Sequence, residues 1–188
     1  MLLDKYEAEN RIQNGQIKIT LLVETAKGIV RLADLIAAST RIDSVILGSE
    51  DLCGSLGVKH SPDGTELLYA LSKVVLHCKS DGLIPIGLLG SVANFQDLDE
   101  YERGAAAAMR LGCEGGFCIH PKQVPILNRL YCPARDEVDD ARRVVECYEQ
   151  AIKQGCGAVN FNGKMIDAPV YKRAQMVLQR HMRCMEDC

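Results

Sequence analysis

Ile17-Lys18-Ile19-Thr20-Leu21-Leu22-Val23-Glu24 and Ser44-Val45-Ile46-Leu47-Gly48-Ser49-Glu50-Asp51 decide how this chain is read. Each is a β-branched, apolar run that ends in a carboxylate. Both are apolar enough to be buried strands, and the stretch between them has helical spacing, so the unit reads strand, helix, parallel strand. Glu24 and Asp51 then stand side by side at the carboxyl ends of neighbouring strands, where α/β folds bind ligands. Two oxygen donors there suit a hard divalent cation such as Mg2+. The same acids also suit the first turns of the helices that follow, so capping is the alternative reading of each.

Outward from this unit the pattern repeats. Leu2 to Ile12 is a charged amphipathic helix closed by Asn14-Gly15. A helix from Thr25, its N-cap, to Ala38 turns Ala26, Ile29, Val30, Ala33, Leu35 and Ile36 inward. Ser61-Pro62-Asp63-Gly64 breaks the chain before a helix from Thr65 to Ser80, and Ile84 to Leu89 is a third strand. Asp97 starts a helix that stops at Gly112. Gly115 to His120 is a fourth short strand, and Pro121 opens the next helix. Four βα units in succession are the period of a β/α barrel or a doubly wound sheet. From Pro133 the pattern changes to a long charged helix (135–154), a hairpin with Asn162-Gly163 at its turn, and a final helix beginning at Asp167-Ala168-Pro169. The expected division is 1–132 as the repeat and 133–188 as a lid or oligomerisation arm.

Composition narrows the function. The chain has 188 residues, 47% of them hydrophobic, and a net charge of −3, enough for one core and without a disorder signature. No basic stripe supports nucleic-acid binding. The apolar runs are strand-sized and no membrane span is expected, and the charged start lacks a signal-peptide pattern, so a cytoplasmic protein is expected. The nine cysteines are odd in number and form no CxxC pair. They read as reduced, mostly buried thiols, with Cys184 and Cys188 weak candidates for a metal, and no closed four-ligand zinc set is present.

Five ordered motifs carry a resemblance over nearly the whole chain. They are Val23-Glu24-Thr25-Ala26-Lys27-Gly28, Gly48-Ser49-Glu50-Asp51-Leu52, Asp63-Gly64-Thr65-Glu66-Leu67-Leu68-Tyr69-Ala70, Cys118-Ile119-His120-Pro121-Lys122-Gln123 and Gly163-Lys164-Met165-Ile166-Asp167-Ala168-Pro169. The chain resembles the citrate lyase beta-subunit-like family, which includes malyl-CoA and citramalyl-CoA lyases. The resemblance implies the last four βα units of a (β/α)8 barrel of TIM type with a C-terminal lid, a Mg2+ cofactor, and cleavage of an acyl-CoA or acyl-carrier thioester. It makes Glu24 and Asp51 the metal carboxylates and Asp167 the acid/base on a lid that covers a neighbouring subunit, in a trimer-type homo-oligomer. Backbone amides around Asp51 and Leu52 would hold the carboxylate of the oxo-acid product.

Other readings of the same residues stand beside these. Asp167 is also a good N-cap for the last helix. His120 reads as a core or cap residue, and Lys122 and Gln123 as product contacts or as a solvated first turn. Asn94 stands where the family pattern has Asp. The family's early strands, with the arginine that binds the oxo-acid and thioester oxygens, have no counterpart in the chain. Open strand edges predict association, and a non-catalytic half-barrel serving as an oligomerisation or interaction module is the rival expectation.

Overall fold

The computed structural model describes residues 2–161 and 163–186. The chain forms two compact units, Met1–Leu127 and Asn128–Cys188, and has a mixed α/β fold. In the first unit, α1 (Leu2–Glu9) precedes three parallel strands in the order β1 (Ile19–Val23), β2 (Ile42–Leu47), β3 (Ile84–Ile86). Between β1 and β2 run α2 (Ala26–Val30) and α3 (Leu32–Ala37), and between β2 and β3 run α4 (Ser49–Leu56) and α5 (Thr65–Asp81). After β3 come α6 (Leu98–Leu111), a 3-10 turn at Pro121–Gln123 and α7 (Val124–Tyr131).

Alternation along the strands gives the sheet two unlike faces. Val23, Val45 and Leu47 join Leu32, Leu67, Leu71 and Val74 in one core beneath the helices. Their neighbours Thr20, Leu22, Ser44 and Ile46 form the other face, where Leu22 is 57% exposed and the Thr20 and Ser44 hydroxyls meet at 2.7 Å. The apolar runs therefore correspond to strands covered by helices on one side, not on both.

Several expectations need correction. The helix from Thr25 to Ala38 is two helices, because Arg31 (φ −97, ψ 22) leaves helical geometry between them. Its buried residues are Ile29, Leu32 and Ile36, whereas Val30 is 74% exposed. The third strand ends at Ile86, and the expected fourth strand from Gly115 to His120 is reduced to a single parallel bridge from Gly115 to Ile86. The segments beyond, Gly87 and Gly115-Gly116, lack the side chains that hold a ladder in place. Helix α6 instead crosses the Leu88-Leu89 segment so closely that a Cβ at Gly104 would lie 2.3 Å from the Leu89 carbonyl oxygen. Gly57, Gly82 and Gly112 end their helices in the left-handed conformation that glycine adopts without strain.

Helix α1 contradicts its amphipathic reading, since its buried residue is Glu7. The Glu7 carboxylate receives both guanidinium nitrogens of Arg41, at 2.8 and 2.6 Å. It also accepts the N–H groups of Gly15 (2.9 Å) and Ile17 (2.8 Å). Arg41 in turn donates to the Ile17 carbonyl at 2.9 Å and to Asp4 at 2.6 Å. A bidentate, charge-assisted pair of this kind fixes α1 against the amino ends of β1 and β2.

The second unit packs α8 (Arg135–Lys153) along α9 (Ala168–Glu186). Between these helices in sequence lies an antiparallel hairpin of β4 (Val159–Phe161) and β5 (Lys164–Ile166), as expected. Asn162 of the expected turn lies outside the described residues, and Gly163 has φ 76. Val138, Ala141, Tyr148, Ala151, Ile166 and Ala174 are buried here, and the rings of Tyr148 and Tyr171 are 4.8 Å apart. Among the described residues no helix is long and apolar enough to cross a membrane.

Candidate metal centre at the carboxyl ends of the strands

Val23 pairs with Leu47, and the Gly48 N–H donates to the Val23 carbonyl at 2.9 Å. This register sets Glu24 directly beside Gly48. A Cβ at Gly48 would lie 2.8 Å from the Glu24 Cβ and 3.3 Å from its Oε2. The half-buried carboxylate thus lies across the one residue that has no side chain to displace it. Gly48 is also the N-cap of α4, and Asp51 occupies the first turn of that helix, exposed to solvent. The Ala26 N–H donates to the Ser55 hydroxyl at 3.0 Å, tying the segment after Glu24 to the same helix.

Neither acid acts as an N-cap. Thr25 caps α2, accepting the Gly28 N–H at 3.0 Å, and Gly48 caps α4 without a side-chain bond. Among the described residues, neither the Glu24 nor the Asp51 carboxylate makes a hydrogen bond or an ion pair. Two unpaired hard-oxygen donors, Glu24 beside the N-cap of α4 and Asp51 in its first turn, fit a Mg2+ ion that keeps several of its waters. The amino end of α4 adds its partial positive charge, which favours an anion. Leu52 does not contribute an amide there, because its N–H donates to the Gly48 carbonyl at 3.1 Å and its side chain is 1% exposed. The N–H groups of the first turn of an α-helix have no intrahelical acceptor, so those of Ser49, Glu50 and Asp51 are the available donors. Gly48 stands in the quoted motif without a role of its own there; its position between a strand and a helix is the clue to the room it leaves for Glu24.

The family model for HpcH/HpaI aldolase/citrate lyase matches residues 1–121. The chain belongs to the HpcH/HpaI aldolase/citrate lyase family. Relatives in this family include the citrate lyase subunit beta of Escherichia coli K12, 39% identical over 166 residues, covering 88% of this chain and 54% of that subunit. The L-malyl-CoA/beta-methylmalyl-CoA lyase of Rhodobacter capsulatus is 27% identical, covering 88% of this chain and 57% of that enzyme. The Mycobacterium tuberculosis CitE structure in complex with magnesium, acetoacetate and coenzyme A superposes with a TM-score of 0.71 at 28% identity, covering 88% of this chain and 61% of that one. The chain therefore spans a little over half the length of the curated relatives it matches.

The remaining family motifs have mixed fates. Asp167, in the second unit, caps α9: its Oδ1 accepts the Val170 N–H at 3.1 Å and its carbonyl the Tyr171 N–H at 2.9 Å. Its other carboxylate oxygen makes no bond among the described residues. His120 is a cap, its Nδ1 accepting the Lys122 N–H at 3.2 Å while its ring stacks on Phe95 at 5.0 Å. Gln123 is not on a solvated turn. It is fully buried, accepts the N–H groups of Ile119 (2.9 Å) and His120 (3.1 Å), and donates to the Val92 carbonyl at 3.1 Å. Lys122 is exposed, and Asn94 donates to Glu100 at 3.0 Å.

Fewer of the described cysteines are buried than the sequence suggests. Cys53, Cys78 and Cys113 are buried, Cys118, Cys132, Cys147 and Cys184 are half-buried, and Cys156 is exposed. Burial pushes the Cys78 thiol up to about 11 and that of Cys113 up to about 12, which makes both poor nucleophiles. Cys188 lies outside the described residues.

Proposed function

We propose that this chain is the metal-binding and lid portion of a Mg2+-dependent carbon–carbon lyase. Its substrate class is a 3-hydroxyacyl thioester of citryl, malyl-CoA or citramalyl-CoA type. The products are an acetyl thioester and a 2-oxo acid, acetate following only where the acetyl thioester is then cleaved by acyl exchange or hydrolysis. The observation that carries this reading is the pair of unpaired carboxylates, Glu24 and Asp51, at the carboxyl ends of adjacent parallel strands. Family membership and the magnesium and coenzyme A bound by the Mycobacterium tuberculosis relative point the same way.

Glu24 and Asp51 would hold Mg2+, which when bound polarises the oxygen of the departing 2-oxo acid. The amides of Glu50 and Asp51 would take that acid's carboxylate. Cleavage passes the hydroxyl proton to solvent, forms the oxo-acid C=O, breaks the carbon–carbon bond and leaves its electron pair on the thioester enolate. Asp167 would protonate that enolate carbon, or remove a proton from it in the reverse direction. In this reading residues 1–132 belong to a (β/α)8 barrel whose further strands continue from the β1 edge. Residues 133–188 form the lid, brought over the site of a neighbouring subunit in a cytoplasmic homo-oligomer, and the exposed Leu22 faces the barrel interior.

The test is Mg2+-dependent release of 2-oxo acid from these thioesters, with Glu24→Gln and Asp167→Asn compared in a protein that shows turnover. Glu24→Gln should raise the Mg2+ requirement, and Asp167→Asn should lower turnover by roughly two to four orders of magnitude with metal binding intact. Turnover indifferent to chelation or unchanged in Asp167→Asn contradicts the mechanism. No release from any of the three thioester classes leaves the chain as a non-catalytic module.

A further inference from the structure

Cys53 of α4 belongs to a second set of ligand atoms, separate from Glu24 and Asp51. Cys53, His60 and Glu66 each offer an atom within 4.8 Å of the other two. The thiol sulfur lies 3.7 Å from His60 Nδ1, and that nitrogen lies 3.3 Å from Glu66 Oε1. These residues come from three segments that the chain folds together deliberately. Gly57 turns α4 back on itself in the left-handed conformation, with the Val58 N–H on the Cys53 carbonyl at 3.0 Å. The Ser61–Gly64 turn then delivers Glu66 in the first turn of α5.

The spacing of the atoms is that of ligands around one ion. Tetrahedral zinc with Zn–S of about 2.3 Å and Zn–N and Zn–O of about 2.0–2.2 Å places sulfur and nitrogen ~3.6 Å apart, and nitrogen and oxygen ~3.4 Å apart. The observed 3.7 and 3.3 Å match these two edges, and sulfur and carboxylate oxygen lie within 4.8 Å of each other. The supporting shell is also present. His60 Nε2 is 3.2 Å from Glu50 Oε2, at ion-pair distance though off the angle of a hydrogen bond, and Glu50 accepts the Ser91 hydroxyl. Glu50 on the Nε2 side of the ring leaves Nδ1 facing Cys53 and Glu66, the arrangement usual behind a metal-bound histidine. Glu66 is held in place by Ser61, accepting its N–H at 3.0 Å and its hydroxyl. Cys53 is 3% exposed, and the side chains of His60 and Glu66 are 18% and 13% exposed, so the donors are largely withdrawn from water.

We infer that Cys53, His60 and Glu66 form a binding site for a borderline-soft divalent cation of the zinc class, with a fourth position left for water or an added ligand. A sulfur, a nitrogen and an oxygen donor favour such an ion over Mg2+, which takes oxygen alone. Bound there, the ion clips α4, the 57–64 turn and the start of α5 together. The inference does not depend on the lyase reading, because the two ligand sets share no residue.

The experiment is titration of the reduced full chain with Co2+ and Zn2+ in the presence of millimolar Mg2+. The expected result is one equivalent of Co2+ with a thiolate-to-metal charge-transfer band, displaced by Zn2+, and a thermal midpoint that rises with Zn2+ and falls back on chelation. Cys53→Ser should abolish the band, and His60→Ala should weaken binding at least ~10-fold. Glu50→Gln should cost roughly 10-fold, the effect of losing the partner of a metal-bound histidine. Glu24→Gln and Asp51→Asn should leave the titration unchanged. His60 lies on a surface turn, so its replacement carries the test if Cys53→Ser fails to fold. A band that survives Cys53→Ser, affinity unchanged in His60→Ala, or no stoichiometric binding would overturn the site. The last outcome leaves His60 as a polar contact between Glu50 and Glu66.

Discussion

The two ends of the parallel sheet use the same residue types to opposite ends. At the amino ends of β1 and β2, Glu7 spends both carboxylate oxygens, on Arg41 and on the N–H groups of Gly15 and Ile17. At the carboxyl ends, Glu24 and Asp51 spend none among the described residues. A carboxylate whose every lone pair is taken inside the fold can only hold the fold together. One left unpaired beside a helix amino terminus keeps its capacity for a ligand. The contrast matches the general division of β/α folds into a stability end and a chemistry end.

The largest expected effect comes from breaking the closed end. Arg41→Ala leaves Glu7 buried without its counter-ion, and loss of one partner of a buried pair is far more damaging than loss of both. Urea unfolding should show a sharply lowered midpoint for Arg41→Ala. Glu7→Gln combined with Arg41→Met should recover part of it; equal midpoints for the single and double replacements would show that the pair is not what holds α1.

Acid separates the two ends next. The Arg41 guanidinium, followed by the N–H groups of Ile17 and Gly15, lowers Glu7 from the usual 4.5 to about 2. A depressed carboxylate stabilises the fold above its unfolded value and loses that contribution as pH falls. Stability should therefore be maintained down to about pH 4.5 and then decline toward pH 2. In Glu7→Gln that part of the acid limb should flatten, and an unchanged acid limb would separate it from Glu7.

The smallest stability effects belong to the open end. Thr25→Ala should cost about 1 kcal/mol through the lost cap. Glu24→Gln should stay within about 0.5 kcal/mol, since no bond is lost. A larger loss in Glu24→Gln would mean that the carboxylate has a structural partner after all.

This contrast was only half legible in the sequence. The apolar runs of β1 and β2 and the acids after them could be read directly, because strand burial writes a local pattern. Glu7 could not, since its partner lies 34 residues away and a charged residue in an amphipathic stretch looks solvated. The fourth strand failed because Gly115 and Gly116 offer nothing to pack, and the break at Arg31 because helical spacing continues across it. Gln123 reads as a product contact or part of a solvated turn, because the bond to the Val92 carbonyl spans 31 residues of sequence. Cys53, His60 and Glu66 match no familiar metal spacing; only the reversal at Gly57 brings them together.

The central claim is that Glu24 and Asp51 share one hard cation across Gly48. Its most direct test is a crystal of the chain grown with Mn2+ in place of Mg2+, with anomalous scattering used to locate the ion and Gly48→Ala as the perturbation. The account predicts an anomalous peak bonded to both carboxylates in the native chain. In Gly48→Ala the peak should be weakened or lost, because the new Cβ would fall 2.8 Å from the Glu24 Cβ. A native crystal with no peak between Glu24 and Asp51, or with the ion on other residues alone, would contradict it.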